Sequence, residues 1–180
     1  MTSFYTEEEL ALLGLESYGK DVLISRKTSI YTPHKISIGD NVRIDDFCIL
    51  SGDITFGSHI HIAAYCALYG AKGIVLEDYC GISSRSVIYS AVDDLSGDYL
   101  AGPNQFQHTI NVVGGTVKLC KYAIIGTNST IFPDLTINEG VVVGACSMVN
   151  KSLAEWGIYA GIPVKRLKDR TKGLLKYILQ

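Results

Sequence analysis

The sequence predicts an all-β chain wound as a parallel β-helix. Three observations carry that expectation. Large aliphatic or aromatic residues recur every six positions, and the residue four further on is often small or β-branched. Helix formers are scarce between about residues 20 and 150, where Ile, Val, Tyr and Thr recur instead, as short strands require. An amphipathic helix needs spacings of three and four, and a hairpin sheet needs alternation broken by turns, so neither produces a strict six. A six-residue repeat gives one short strand and one turn, and three such units close a triangular coil.

The elements follow in order. Thr6-Glu-Glu-Glu9 is a capping box, and Glu7 to Leu13 reads as a short amphipathic helix. Ile24 and Ile30 begin the repeat. Ile38, Ile44, Leu50, Phe56, Ile62 and Leu68 hold it in unbroken register, each expected to fill a corner of the coil. Gly70-Ala-Lys-Gly73 adds two residues before Leu76, Ile82 and Ile88 resume it. A second run holds Leu119, Ile125, Ile131, Ile137, Val143 and Val149. The position after the large residue is often Gly or acidic (Gly39, Asp45, Gly57, Glu77, Gly126, Gly144), with Gly expected to take up the left-handed turn. Cys48, Cys66 and Cys80 fall at the small inward position and read as compact buried residues. Between Val92 and Val117 the repeat fails, so residues near 93–116 are expected to leave one corner as a loop. A loop of about 20 residues in a compact domain is usually functional. Arg170 to Gln180 reads as a C-terminal helix with Leu174, Leu175 and Ile178 on one stripe. Solenoid ends need such covers. The whole is a single domain, 1–180, made of a helical cap (1–20), the β-helix (21–152) and a tail with its helix (153–180).

Composition narrows the function. The 180 residues carry 16 basic and 18 acidic side chains and a formal net charge of −2, with no basic excess to neutralise a nucleic-acid backbone. No apolar run approaches a membrane span and the start lacks a basic region before an apolar stretch, so a cytoplasmic protein is expected. The five cysteines form no CxxC pair, which argues against a disulfide framework or a zinc site.

The segments Ile125-Gly-Thr-Asn-Ser-Thr-Ile-Phe-Pro-Asp134, Val143-Gly-Ala-Cys-Ser-Met-Val-Asn-Lys151 and Tyr159-Ala-Gly-Ile-Pro-Val-Lys165 resemble the closing coils of the hexapeptide-repeat acyltransferase superfamily. Val164 stands where that pattern usually has Ala. The first half looks most like acyltransferases of bacterial surface-polysaccharide biosynthesis, through Ser-x-x-Asp-Asp-x-Ser-Gly at Ser90 to Gly97. The resemblance implies a left-handed coil, a homotrimer with active sites in the clefts between subunits, and acetyl-CoA as acyl donor. It implies acetylation of a sugar hydroxyl on a nucleotide sugar or polysaccharide precursor. N-acetylation of a nucleotide-linked amino sugar and a non-catalytic binding β-helix are the alternatives. Gamma-class carbonic anhydrases share the coil, but their three zinc-ligand histidines have no counterpart in the spacing of His34, His59, His61 and His108.

Acyl transfer from a thioester needs a base, an oxyanion donor and a cleft holding both substrates in line. His34 falls four after Ile30, a structural position, and His59 lies in a turn. His61 precedes inward Ile62, so strand alternation points it outward, near the corner between two sides of its coil. When the coils are matched to sugar O-acetyltransferases, their catalytic histidine falls near Asp93. His61 is therefore expected as base, meeting Asp93 or Asp94 of a neighbouring subunit, with His108 or an aspartate as alternatives. By the same resemblance Thr127 and Ala145 lie along the pantetheine, Asn150 and Lys151 near the adenosine end, and Lys165 and Arg166 at the phosphates. No metal is expected.

Overall fold

The computed structural model describes residues 3–178. The chain winds as a parallel β-helix of seven coils, left-handed as the resemblance implies. Each coil has three faces. Face 1 stacks Ser17–Tyr18, Ile36–Ile38, Val117–Leu119 and Leu135–Ile137, together with the second halves of Ile49–Phe56 and Ala67–Leu76. Face 2 stacks Leu23–Ile24, Val42–Ile44, Ile60–Ile62, Gly81–Ile82, Ile124–Ile125, Val142–Val143 and Gly157–Ala160. Face 3 holds Ser29–Tyr31, the first halves of the two long strands, Val87–Tyr89, Thr130–Ile131 and Met148–Val149.

Each strand alternates inward and outward, so a three-residue strand sends two side chains into the core. Every large residue from Ile38 to Val149 in the two runs is buried. Truncating one such residue, Ile62→Ala for instance, costs about 2–5 kcal/mol. The large residue closes its strand rather than filling a corner, which moves the expected positions of its neighbours by half a side. The two added residues at Gly70 to Gly73 appear as a register shift against Gly52 and Ile54, where both long strands bend from face 3 to face 1.

The inward small position on the corner between faces 2 and 3 has a second role. Cys48 Sγ donates to the Ala63 carbonyl, Cys66 Sγ to Ser83, Ser86 Oγ to Gly126 and Ser129 Oγ to Gly144, at 3.0–3.2 Å. Each pins the turn of the next coil, so turn carbonyls facing the core are not left unpaired. Burial pushes the Cys80 thiol up to about 12.

The left-handed turn positions differ from expectation. Asn41, His59, Tyr79, Tyr122 and Trp156 occupy them on the corner between faces 1 and 2, and Phe47, Tyr65, Arg85, Asn128 and Cys146 on the next. Left-handed backbone costs a bulky residue about 1–2 kcal/mol. Stacking offsets it: His59 on Tyr79 at 4.7 Å, Tyr79 on Tyr122 at 5.4 Å, and Phe47 on Tyr65 at 4.9 Å. Gly39 and Gly126 are instead required by close approach, since a Cβ there would lie 2.5 Å from Gly57 O and 2.6 Å from Ala145 N.

The N-terminal helix spans Glu7–Ala11 with the capping box formed as expected. Residues 93–116 are more ordered than a plain loop. Ala91–Asp93 and Val112–Gly114 pair antiparallel, so an arm with a hairpin root leaves the corner between faces 3 and 1. The tail also differs. Lys165–Asp169 runs back antiparallel along Gly157–Ala160, and the expected C-terminal helix is a short 3-10 turn, Gly173–Tyr177, with no side-chain cap. Gln180 and the residue before it lie outside the described residues. His34 is not inward: it sits exposed in a 3-10 insertion, Pro33–Lys35. Among the described residues, no helix is long and apolar enough to cross a membrane.

Candidate active site

His61 lies in the middle of Ile60–Ile62 on face 2, between two inward isoleucines, and is exposed. Its Nε2 is 2.8 Å from Asp45 Oδ2, in the turn of the preceding coil. Asp45 Oδ1 accepts from Arg43 Nε at 2.7 Å, and the Arg43 guanidinium rests over the Phe4 ring at 5.1 Å. Burial pushes the Asp45 carboxyl up, but the hydrogen bonds from His61 and Arg43 outweigh it and hold the group below the ordinary carboxylate range. An ionised Asp45 only accepts, so the hydrogen sits on Nε2 and the Nδ1 lone pair is left to take a proton.

His61 opens onto a groove of about 340 Å³, lined by Gly81, Ser83, Ser84, Ile124 and Thr127 among others. The groove follows the corner between faces 2 and 3. Successive turns there carry Asp45-Asp46, Ala63-Ala64, Ser83-Ser84, Gly126-Thr127 and Gly144-Ala145. Small pairs from the third coil onward leave a continuous track. Thr127 Oγ1 donates to the Ser84 carbonyl at 2.6 Å, and Thr127 O accepts from Cys146 N at 2.8 Å, so Thr127 and Ala145 lie one coil apart on that track.

The other named residues sit on a different corner. Asp93 and Asp94 stand at the root of the arm, between faces 3 and 1. Asp93 Oδ2 accepts from Gly102 N at 3.0 Å. Asp94 accepts from Ser96 N and from Asn111 Nδ2, both at 2.9 Å. The backbone bond from Ser96, then its hydroxyl and Asn111, hold the Asp94 carboxyl below its ordinary value. Asn150 and Lys151 are exposed on this same corner after Met148–Val149. His108 is exposed on the arm, stacked on Phe106 at 5.9 Å.

Within one chain, then, His61 borders the groove along the corner that carries Thr127 and Ala145, while Asp93, Asp94, Asn150 and Lys151 share another corner. Each set joins groups suited to proton transfer with groups further along the axis toward the C-terminal coils. Lys165 is exposed on the returning strand of the tail. Arg166 is held there, donating to Tyr159 Oη at 2.9 Å and Asp169 Oδ1 at 2.8 Å. Sequence reasoning missed Asp45 and Ser84. Asp45 occupies an acidic slot of the repeat and so reads as turn chemistry. Ser84 is signalled only by the contrast of a serine pair with the alanine pair one coil earlier. Among the described residues, no group of three or more His, Cys, Asp or Glu side chains is placed to hold a metal.

No family model matches the chain. It is 40% identical over 177 residues to the dTDP-4-amino-4,6-dideoxy-D-glucose acyltransferase of Escherichia coli, covering 97% of this chain and 92% of the relative. Among solved structures it is similar to AntD, an N-acyltransferase from Bacillus cereus. In complex with dTDP and 3-hydroxybutyryl-CoA, AntD matches with a TM-score of 0.97 and 54% identity, over 99% of this chain and 96% of that one. An S84C variant with dTDP-4-amino-4,6-dideoxyglucose and coenzyme A, and a D94A variant with dTDP and coenzyme A, each match with a TM-score of 0.97 and 53% identity. They cover 99% of this chain and 96% and 97% of theirs, respectively.

Proposed function

The chain belongs to the hexapeptide-repeat acyltransferase superfamily and is an acyltransferase that uses a CoA thioester, and from that premise we propose that it acylates the amino group of a dTDP-linked 4-amino-4,6-dideoxy sugar. The observation that carries this reading is identity above half, over nearly the full length of both chains, with an N-acyltransferase solved with that sugar nucleotide. The amine replaces the hydroxyl that resemblance to O-acetyltransferases implies. This chain carries a serine at 84 and an aspartate at 94, the same residue types under the same numbers as those replaced in the AntD variants.

Three groups then divide the chemistry. The half-buried carboxylate of Asp94, fixed by Ser96 and Asn111, holds the sugar's amino group in place. The amine attacks the thioester carbonyl, forming the N–C bond, while the Ser84 hydroxyl in the groove donates to the oxyanion. His61 Nδ1 takes the amine proton and returns it to the departing CoA sulfur as the C–S bond breaks, with Asp45 stabilising the transient imidazolium. The small-residue track past Thr127 and Ala145 suits a pantetheine arm, and Lys151, Asn150 and Lys165 supply polar groups for its nucleotide end. Arg166 braces the tail, and Asp93 anchors the arm through Gly102.

The two corners meet when a second subunit supplies one of them, in a homotrimer. Outward residues of face 3 support it: Tyr31 is 58% exposed, Phe132 36%, and Tyr69 stacks on Tyr89 at 5.3 Å. Outward aromatics in a row on one face, two of them exposed, suit a subunit contact. Nucleotide sugars and CoA thioesters are cytoplasmic metabolites, which fits a cytoplasmic enzyme. The test is acceptor choice: wild-type protein is given acetyl-CoA with either dTDP-4-amino-4,6-dideoxyglucose or the same sugar nucleotide bearing a 4-hydroxyl. Thiol release with the amine alone, and an amide in the product mass and NMR spectra, are expected. Transfer to the hydroxyl analogue and none to the amine would overturn the assignment.

A further inference from the structure

We infer that Gly81 and Ile124 form an acyl-chain pocket on face 2 that sets which acyl thioesters the enzyme accepts, an inference that rests on the CoA-dependent reading above. Gly81 sits between His61 and Ile124 in one outward line, paired in register with both. On every other coil that line carries a side chain: Leu23, Arg43, Ile124, Val142 and Ile158 besides His61. The missing side chain makes a notch in the floor of the groove that Ser84 and Thr127 border.

Nothing in the backbone demands a glycine there. At Gly39 and Gly126 an added Cβ would strike main chain at 2.5 and 2.6 Å. At Gly81 the backbone is ordinary strand, and a Cβ would meet only the Cδ1 end of Ile124, at 3.2 Å. The fold can take a side chain at this place once the Ile124 tip shifts by a few tenths of an ångström, so the vacancy serves the groove. Its walls suit an acyl chain. Ile124 gives an apolar side, and the ring of His61 closes the other. With the thioester carbonyl at Ser84, the acyl carbons run into the notch one coil wide. The pocket therefore admits chains longer than acetyl, of the four-carbon class.

The experiment compares acetyl-CoA, butyryl-CoA and 3-hydroxybutyryl-CoA as donors with the amino sugar nucleotide, for wild type, Gly81→Val and Ile124→Ala. A pocket worth one or two methylenes discriminates by about tenfold or more. Gly81→Val is expected to lower the ratio of kcat/KM for either four-carbon donor to that for acetyl-CoA by about tenfold. Ile124→Ala is expected to move the ratio for butyryl-CoA the other way. Melting curves check that both variants fold. A folded variant pair in which all donors change together, with the wild-type ratio kept, overturns the pocket while leaving the functional reading intact. A Gly81→Val protein that does not fold leaves Ile124→Ala to decide. A wild type that turns over none of the three donors removes the functional reading itself, and the pocket with it.

Discussion

At the residue scale the decisive contact is the one between His61 and Asp45. A histidine on an open strand face is an ordinary surface group until something fixes its tautomer. Asp45, held ionised by His61 and Arg43 against the cost of partial burial, does so and leaves Nδ1 as the acceptor. His61→Ala is expected to lower kcat by about 10²–10⁴-fold, the range of general-base catalysis, with CoA affinity by calorimetry nearly unchanged. Asp45→Asn should cost less and should shift the pH–rate profile, whereas a purely structural histidine would move neither. Asp45 also carries a stability prediction. Its folded-state carboxyl is depressed, so its contribution is present above the unfolded value, about 4, and is lost as pH falls through the lower folded one. Glu77, depressed by Lys118 and the Lys121 backbone, has the same sign. Thermal melts should therefore show Tm falling below about pH 4, and the fall should be shallower in Asp45→Asn. At the CoA end, Lys151→Ala should weaken CoA binding by about 1–2 kcal/mol, the scale of one charge-assisted contact.

At the element scale the arm is an excursion that the coils do not need. Ile74, Val75 and Leu76 pair in register with Val117, Lys118 and Leu119, so the stack closes across it. Glu77 reinforces the closure through Lys118 at 2.7 Å and the Lys121 N–H at 3.1 Å. The hairpin root ends at Asp93 and Val112. Replacing residues 94–111 by Asn-Gly, the dipeptide preferred for a two-residue hairpin turn, should keep the fold and its Tm within a few degrees while abolishing transfer. A large drop in Tm would show that the arm is part of the scaffold. The repeat's legibility in the sequence stops at this element. A period of six fixes which side chains enter the core, because burial repeats with the backbone. It does not show that the break at Val92 is a hairpin, since Ala91–Asp93 and Val112–Gly114 are too short and too far apart in sequence to signal pairing. The tail fails similarly: Leu174 and Leu175 suggest a helix, yet Gly173 and the lack of a cap leave only a 3-10 turn.

At the scale of the whole molecule, the proposed site residues divide between the groove beside face 2 and the corner at the root of the arm. His61 sits mid-strand on face 2 and the aspartates at the root of the arm one coil further on, whereas the sequence places His61 itself at a corner. What it did not show is which aspartate touches His61. Asp45 is sixteen residues away, one coil back, and only the stacked register brings the two within 2.8 Å. The aromatic ladders were hidden for another reason, because left-handed turns favour Gly and Asn in isolation, and ring stacking between coils overrides that preference. If face 3 closes a homotrimer, sedimentation should give three times the 19.6 kDa chain mass at micromolar concentration. The most direct test of the shared site is complementation. His61→Ala and Asp94→Ala chains, each inactive alone, are co-expressed in equal amounts. In a ring where each site takes His61 from one chain and Asp94 from the next, about a quarter of the sites regain both groups, so about a quarter of wild-type turnover should return. No recovery, with mixed trimers confirmed by mass, would place both residues' work within a single chain and contradict the account.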